Sequence, residues 1–168
     1  TYDAWPPKAA QPTKYYFQSQ GKISTVQPTN RSGFNEYVSD PSKPVPYTED
    51  VHLNRTREYM SDDQRFAARR SDVLVYQTEV LSEPLTVTGT VGADLWVNLS
   101  TTDADFVVKL IDVFPDTLKG RENGVPLGGY QMLVRGEIFR GRYRNGFERP
   151  EAFKVTTTTE VKFDLPDV

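Results

Sequence analysis

From Val91 to Ser100 the chain alternates: Val91, Ala93, Leu95, Val97 and Leu99 share one parity, and Gly92, Asp94, Trp96, Asn98 and Ser100 share the other. A period of two belongs to a strand with one face on a core, and burying each larger aliphatic of that face is worth roughly 1.5–3 kcal/mol. Gly89, inside the same stretch, marks a bulge or bend. The segment from Asp103 to Asp116 has a different pattern. Phe106-Val107-Val108, Leu110-Ile111 and Val113-Phe114 are apolar on both parities, with Lys109 in the middle of the run and Asp103, Asp105, Asp112 and Asp116 at its margins. Pro115 closes the run, because proline cannot continue a ladder. This pattern predicts a central strand with charged ends, covered on both faces inside a sandwich, so function is to be sought at those ends.

The remaining elements are short. Lys14 to Gln18 and Lys22 to Val26 have strand composition on either side of Ser19-Gln20-Gly21, which predicts a hairpin with Gly21 at a positive φ. Phe34 to Val38 is a short strand candidate, after which Pro41, Pro44 and Pro46 forbid regular structure. Val45 to Arg70 has no clear period, which in a compact domain marks a functional loop or a piece packed on a neighbour. Within it, Ser61-Asp62-Asp63-Gln64-Arg65 can cap a helical turn running to Arg69. Strand patterns return at Val73 to Tyr76 and from Leu85 onward. Later come Met132 to Val134 leading into Glu137 to Arg144, and Phe153 to Leu165, which is rich in β-branched residues. Gly120 to Gly129 reads as loop. No stretch holds a helical period over three turns, and no repeat is visible.

Composition sharpens this into a fold class. With 168 residues, one domain with a real core is the default expectation, and 12 Pro with 11 Gly indicate many short elements separated by turns. The expectation is an all-β domain: residues 1–13 form an extended lead-in or linker tied down by Trp5, and residues 14–168 form the domain. The 20 Lys and Arg against 23 Asp and Glu leave a net charge of -3, which gives no footprint for nucleic acid or an anionic membrane. No apolar run approaches the roughly 20 residues of a membrane span, and the first residues lack the regions of a signal peptide. Absence of cysteine removes disulfides, thiolate catalysis and cysteine-bound metal, and leaves the compartment open.

The chemistry legible in the residues is thin. A Ser-His-carboxylate triad would have to use His52, the single histidine, without any Gly-x-Ser-x-Gly elbow; a lone loop histidine is more often merely solvated. One histidine and no cysteine do not make a typical zinc site. Asp103, Asp105 and Asp112, with Asp62 and Asp63, offer hard oxygen ligands to calcium, but their spacing matches no EF-hand loop. The favoured alternative is a structural ion-pair network in which Lys109 and arginines such as Arg69, Arg70, Arg140, Arg142 and Arg144 pair with these carboxylates at the sheet margin. Trp96, Tyr130 and Tyr143 are candidate platforms for stacking sugars, although most of the 9 Tyr and 9 Phe must be core or edge fillers. The sequons at Asn30, Asn54 and Asn98 matter only in a eukaryotic secretory pathway.

Several blocks carry a family resemblance. Leu74 to Tyr76, Glu83-Pro84-Leu85, Thr88-Gly89, Asp103 to Phe106, Lys109 to Asp116 and Phe139 to Arg144 resemble the carboxy-terminal jelly-roll domain of the X-prolyl dipeptidyl peptidase and cocaine esterase family. Tyr37 to Pro41, Pro44 to Tyr47, Glu58 to Arg70 and Gly128-Gly129-Tyr130 are most similar to α-amino acid ester hydrolases, also called cephalosporin or glutaryl acylases. The blocks run from about Tyr15 to the end.

The resemblance implies a jelly-roll β-sandwich of the galactose-binding-like kind, set in an enzyme with an α/β-hydrolase domain and a helical cap. The triad lies in the hydrolase domain, so no catalytic residue is carried over, His52 is not the family histidine, and no cofactor is implied. A loop from about Pro46 to Met60, with Tyr47, His52, Leu53 and Tyr59, is expected to approach the acyl pocket. Asp103, Asp105, Lys109, Asp112 and Arg142 are expected to form the structural network. The family continues past Val168 with further strands, beginning with a glycine-histidine-arginine segment. The expectation is therefore an excised or proteolytic piece, or one half of a split chain, that self-associates or meets a complementary chain. The ester-hydrolase likeness leans toward a periplasmic or secreted parent. The reading from a different class is a free-standing sandwich that binds carbohydrate or a protein.

Overall fold

The computed structural model describes residues 3–30, 32–54, 58–122 and 124–168. In chain order the elements are β1 (Tyr16–Phe17), β2 (Ile23–Ser24), α1 (Arg65–Ala68), β3 (Val91–Val97), β4 (Asp105–Val113), β5 (Arg121–Glu122), β6 (Val125–Pro126), β7 (Gln131–Arg140) and β8 (Thr159–Leu165). The chain falls into two compact units. One comprises Thr1–Lys8, Val87–Asp112 and Leu133–Val168; the other comprises Ala9–Thr86 and Val113–Met132.

The first unit holds the apolar core. β3 and β8 pair antiparallel from Val91 opposite Leu165 to Val97 opposite Thr159. Along β8 Val161, Phe163 and Leu165 are buried between exposed Glu160, Lys162 and Asp164, so the period of two in the sequence becomes one dry face and one wet face. β4 pairs with β7. The Gly141 amide donates to the Ala104 carbonyl at 2.9 Å, while Gly136 lies beside Lys109, so these strands run antiparallel. Phe106 and Val108 of β4 and Phe139 of β7 pack on Phe153, Val161, Phe163 and Leu165, joined by Val91, Ala93, Leu95, Val97 and Leu99. Phe139 and Phe163 stack with centroids 4.9 Å apart and planes 6° from parallel. The two strand pairs thus share one core, and the fold is an all-β sandwich.

β4 departs from the expected strand covered on both faces. Phe106 and Val108 turn toward the core, but Val107 between them is 57% exposed, and β7 is the strand paired with β4 among the described residues. Adjacent side chains on a strand point to opposite faces, and only one of these faces meets a partner sheet in this unit. Within this unit the Trp5 indole Nε1 donates to Asp167 Oδ2 at 3.1 Å.

The second unit contains β1 and β2, which pair antiparallel across a turn where Gly21 has φ 69°. Lys22 adds a single parallel bridge to Gln77. Phe34 to Val38 forms no strand; Phe34 and Val38 are 82% and 83% exposed, and a segment that buries neither apolar residue has little to offset the entropy of ordering it. Val73 to Tyr76 likewise stays irregular up to the Gln77 bridge. The helical turn exists but starts at Arg65, with Gln64 at its cap position; the Gln64 side chain donates back to the Asp62 carbonyl at 3.0 Å. Its polar footing is buried: Asp63 and Gln64 are 7% and 1% exposed.

Candidate functional site

Two groups of the residues singled out by sequence are brought together, one in each unit. In the first unit, Asp105 opens β4 and Arg140 closes β7, and the antiparallel pairing makes them neighbours. Arg140 Nε and Nη2 donate to the two Asp105 oxygens at 2.8 and 3.1 Å. Two residues further out, Arg142 Nε donates to Asp103 Oδ2 at 2.5 Å. The other Asp103 oxygen, Oδ1, is shielded from solvent and has no hydrogen-bond partner among the described residues. The Arg140 guanidinium holds the Asp105 carboxyl below the ordinary carboxylate range, with the Arg142 charge adding to the effect. Arg140 is raised in return, by Asp105 first and Asp103 at longer range.

Lys109 and Asp112 lie elsewhere. At about 3.3 Å per residue they are roughly 13 and 23 Å along the strand from Asp105. Lys109 sits beside Gly136, and Asp112 makes no ion pair among the described residues. No three of the described His, Asp and Glu side chains converge as a group that could hold a metal ion.

In the second unit, Tyr47, His52, Leu53 and Tyr59 all lie on one loop, of which residues 55–57 fall outside the described set. Its tip is uncovered: Val51 is 99% and Leu53 102% exposed, and His52 between them is exposed too. The two feet of the loop are held together. The Tyr47 and Tyr59 rings lie 5.3 Å apart, and the Glu49 amide donates to Asp62 Oδ2 at 3.3 Å. The Tyr130 hydroxyl donates to the Ser61 carbonyl.

Below the feet, Asp63 accepts from the amides of Arg65 and Gln131 at 3.1 and 3.3 Å and pairs with the Arg65 guanidinium, while the Gln64 amide donates to the Gln131 carbonyl at 3.0 Å. Burial pushes the Asp63 carboxyl up, but the Arg65 side chain and the two amides outweigh it and hold it below its usual range. Gly129, at φ 67°, runs so close to Asp116 that a β-carbon there would meet the carboxylate at 2.7 Å. Sequence reasoning noticed Gly128-Gly129-Tyr130 as a likeness but not as the floor under this loop, because the partners are separated by more than sixty positions.

The candidate stacking platforms separate by burial. Tyr130 is 1% exposed and packs on Phe114, so it is no sugar platform. Trp96 is 69% exposed on the wet face of β3, opposite Glu160. Tyr143 packs on Phe147 at 5.4 Å and lines an open groove with Ile138, Lys162 and Asp164. No described helix is long and apolar enough to cross a membrane.

An aminopeptidase from the marine sediment archaeon Thaumarchaeota archaeon superposes with a TM-score of 0.89 at 42% identity over 99% of the chain. An α-amino acid ester hydrolase superposes with a TM-score of 0.79 at 39% identity over 91%. A cocaine esterase from Rhodococcus sp. (strain MB1 Bresler) is 34% identical over 96% of the chain. The chain spans only 28%, 25% and 27% of the lengths of these three proteins. All of residues 1–168 match one family model, and the chain belongs to the X-Pro dipeptidyl-peptidase C-terminal non-catalytic domain family.

Proposed function

We propose that this chain is the non-catalytic β-sandwich of a larger serine hydrolase acting on α-amino acid esters, β-lactam side-chain amides or X-prolyl peptides. In that enzyme it braces the α/β-hydrolase and cap domains, and the Tyr47–Tyr59 loop walls one side of the substrate pocket. The reading is supported most by the short share of its relatives that the chain spans, about a quarter in each case. The loop tip agrees with it. Val51 and Leu53 expose almost their whole surface, and apolar side chains presented this way on a braced loop are suited to burial against a neighbouring domain. The ion pairs of Asp103 and Asp105 with Arg142 and Arg140 then serve to hold the sheet end, with no part in the chemistry.

The test is hydrolysis of a nitrophenyl ester of an α-amino acid. The isolated chain is expected to show no turnover above background, and the polypeptide joining it to a hydrolase domain is expected to turn over. Activity of the isolated chain that disappears with His52→Ala overturns the proposal. A glycan panel addresses the free-standing binding module, since a bracing domain binds none of its members.

A further inference from the structure

We infer that the outward face of the β4–β7 pair, where Val107 lies opposite Ile138, is the surface on which the hydrolase part of the same polypeptide docks; this rests on the reading that the chain is one domain of a larger hydrolase.

The two outward faces of the sandwich differ in kind. On β3 and β8 the outward positions include Asp94, Glu160, Lys162 and Asp164, and the Lys162 ammonium pairs with Glu160 at 2.7 Å and with Asp94 at 3.3 Å. Apart from Trp96, that face is made for water. The outward face of β4 and β7 is apolar at its middle. The Gly141 amide donates to the Ala104 carbonyl, the Arg140 side chain bonds Asp105, and Gly136 lies beside Lys109, so the register sets Val107 opposite Ile138. The two are 57% and 65% exposed. Beyond Ile138 the apolar surface continues, because Ile138 lines an open groove with Tyr143 and Phe147, and Phe147 is 77% exposed. At the other end of the strip the Asp105 and Arg140 charges neutralise one another. This gives a physical meaning to the apolar residues on both parities of β4: Phe106 and Val108 serve the core, and Val107 serves a second layer.

The occupant follows from the size of the strip. A stable interface between separate molecules takes about 20–30 residues a side, and this strip offers a few side chains. A domain on the same polypeptide needs less, because tethering holds it at an effective concentration of order millimolar. The chain spans 28%, 25% and 27% of its relatives, which leaves most of their length to other parts of the polypeptide. The strip also lies on a sheet face, and a face is covered by another packed layer, not by a strand added at an edge.

The experiment uses the full hydrolase polypeptide containing this domain and measures thiol labelling by a maleimide. This chain has no cysteine, so Val107→Cys, Ile138→Cys and Trp96→Cys each add one thiol to it, and the unsubstituted polypeptide supplies the background. At 57%, 65% and 69% exposed, the three positions would label alike without a covering layer. Each rate is divided by that of the same variant unfolded in urea. Val107→Cys and Ile138→Cys are expected to label at least about 10-fold more slowly than Trp96→Cys, because a covered thiol waits for local opening. Any smaller protection overturns the inference. Ile138→Asp separates the possible occupants: with the hydrolase part docked there, the mass by light scattering is expected to stay the same. A mass that falls with Ile138→Asp assigns the strip to a second copy of the chain and overturns the inference too.

Hydrolysis of the α-amino acid nitrophenyl ester is measured on the same samples. Unprotected thiols in a polypeptide that turns over the ester sink the docking face and leave the hydrolase reading standing. A polypeptide without turnover sinks that reading, and the docking face with it.

Discussion

Gly141 and Phe153 meet so closely that no side chain fits between them: a β-carbon on Gly141 would lie 2.6 Å from Cε2 of the Phe153 ring and 2.8 Å from the Phe106 ring. The glycine is buried where β7 ends, and its amide bonds Ala104 across the sheet, so the backbone cannot retreat. Gly141→Ala should therefore destabilise by about 1–3 kcal/mol through overpacking. Urea unfolding followed by fluorescence measures it. An unchanged midpoint would show that the two rings yield freely.

The Asp103, Asp105, Arg140 and Arg142 cluster should contribute far less than its geometry suggests. The Arg140 and Asp105 side chains are 55% and 45% exposed, so solvent screens the pair, and exposed pairs measure about 0.2–1 kcal/mol. Arg140→Gln should therefore lower stability only slightly at pH 7. Because Asp105 is lowered in the folded state, the pair's contribution is present above the unfolded carboxylate value of about 3.9 and lost as pH falls through the folded value. A double-mutant cycle with Asp105→Asn gives the coupling, which should shrink further in 1 M salt; a coupling well above 1 kcal/mol would contradict this account.

The sandwich was readable from period alone where a strand has one dry face. Val91 to Val97 and Val161 to Leu165 follow the alternation residue by residue, because each core-facing position is apolar, while the outward ones are charged apart from Gly92 and Trp96. β4 was harder, since a run apolar on both parities says that both faces can be buried, not that both are. Phe34 to Val38 misled for a related reason: strand composition without a partner strand makes no ladder. The loop floor was beyond reach, because Asp63 and Gln131, or Ser61 and Tyr130, are joined only by the tertiary fold. The arginine partner of Asp105 lay between the two, since a hairpin-like pairing of β4 with β7 was needed to choose Arg140 over its neighbours.

Trp96 offers a negative test. It stands on the wet face of β3, 69% exposed, among Asp94, Glu160 and Lys162, and contributes nothing to the core cluster. Trp96→Ala should leave unfolding free energy within about 0.5 kcal/mol of the parent. Phe163→Ala, in contrast, removes a ring stacked on Phe139 inside the core and should cost about 3–5 kcal/mol. The contrast is read by thermal unfolding of the two variants side by side. A large loss for Trp96→Ala would mean that the outer face of β3 is covered.

The strongest pH effect should come from Asp63, not from the exposed pairs. Its carboxylate is 7% exposed and accepts from two backbone amides and the Arg65 guanidinium, so little solvent screens it. Asp63→Asn keeps one acceptor oxygen but loses the charge, and at neutral pH should cost about 1.5–3 kcal/mol, the range for hydrogen bonds to a charged group. The folded carboxyl is lowered, so the parent holds this stabilisation above the unfolded value of about 3.9 and loses it as pH falls through the lower folded value. Asp40, Asp72, Asp105, Asp167 and Glu79 are lowered as well and weaken both proteins in acid alike. Asp63 is thus isolated by the difference between the two stability curves. That difference should be constant near neutrality and should narrow in acid, as the parent protonates and comes to resemble the variant. A difference that widens in acid would reverse the assignment, because it would require a carboxyl whose folded value is raised.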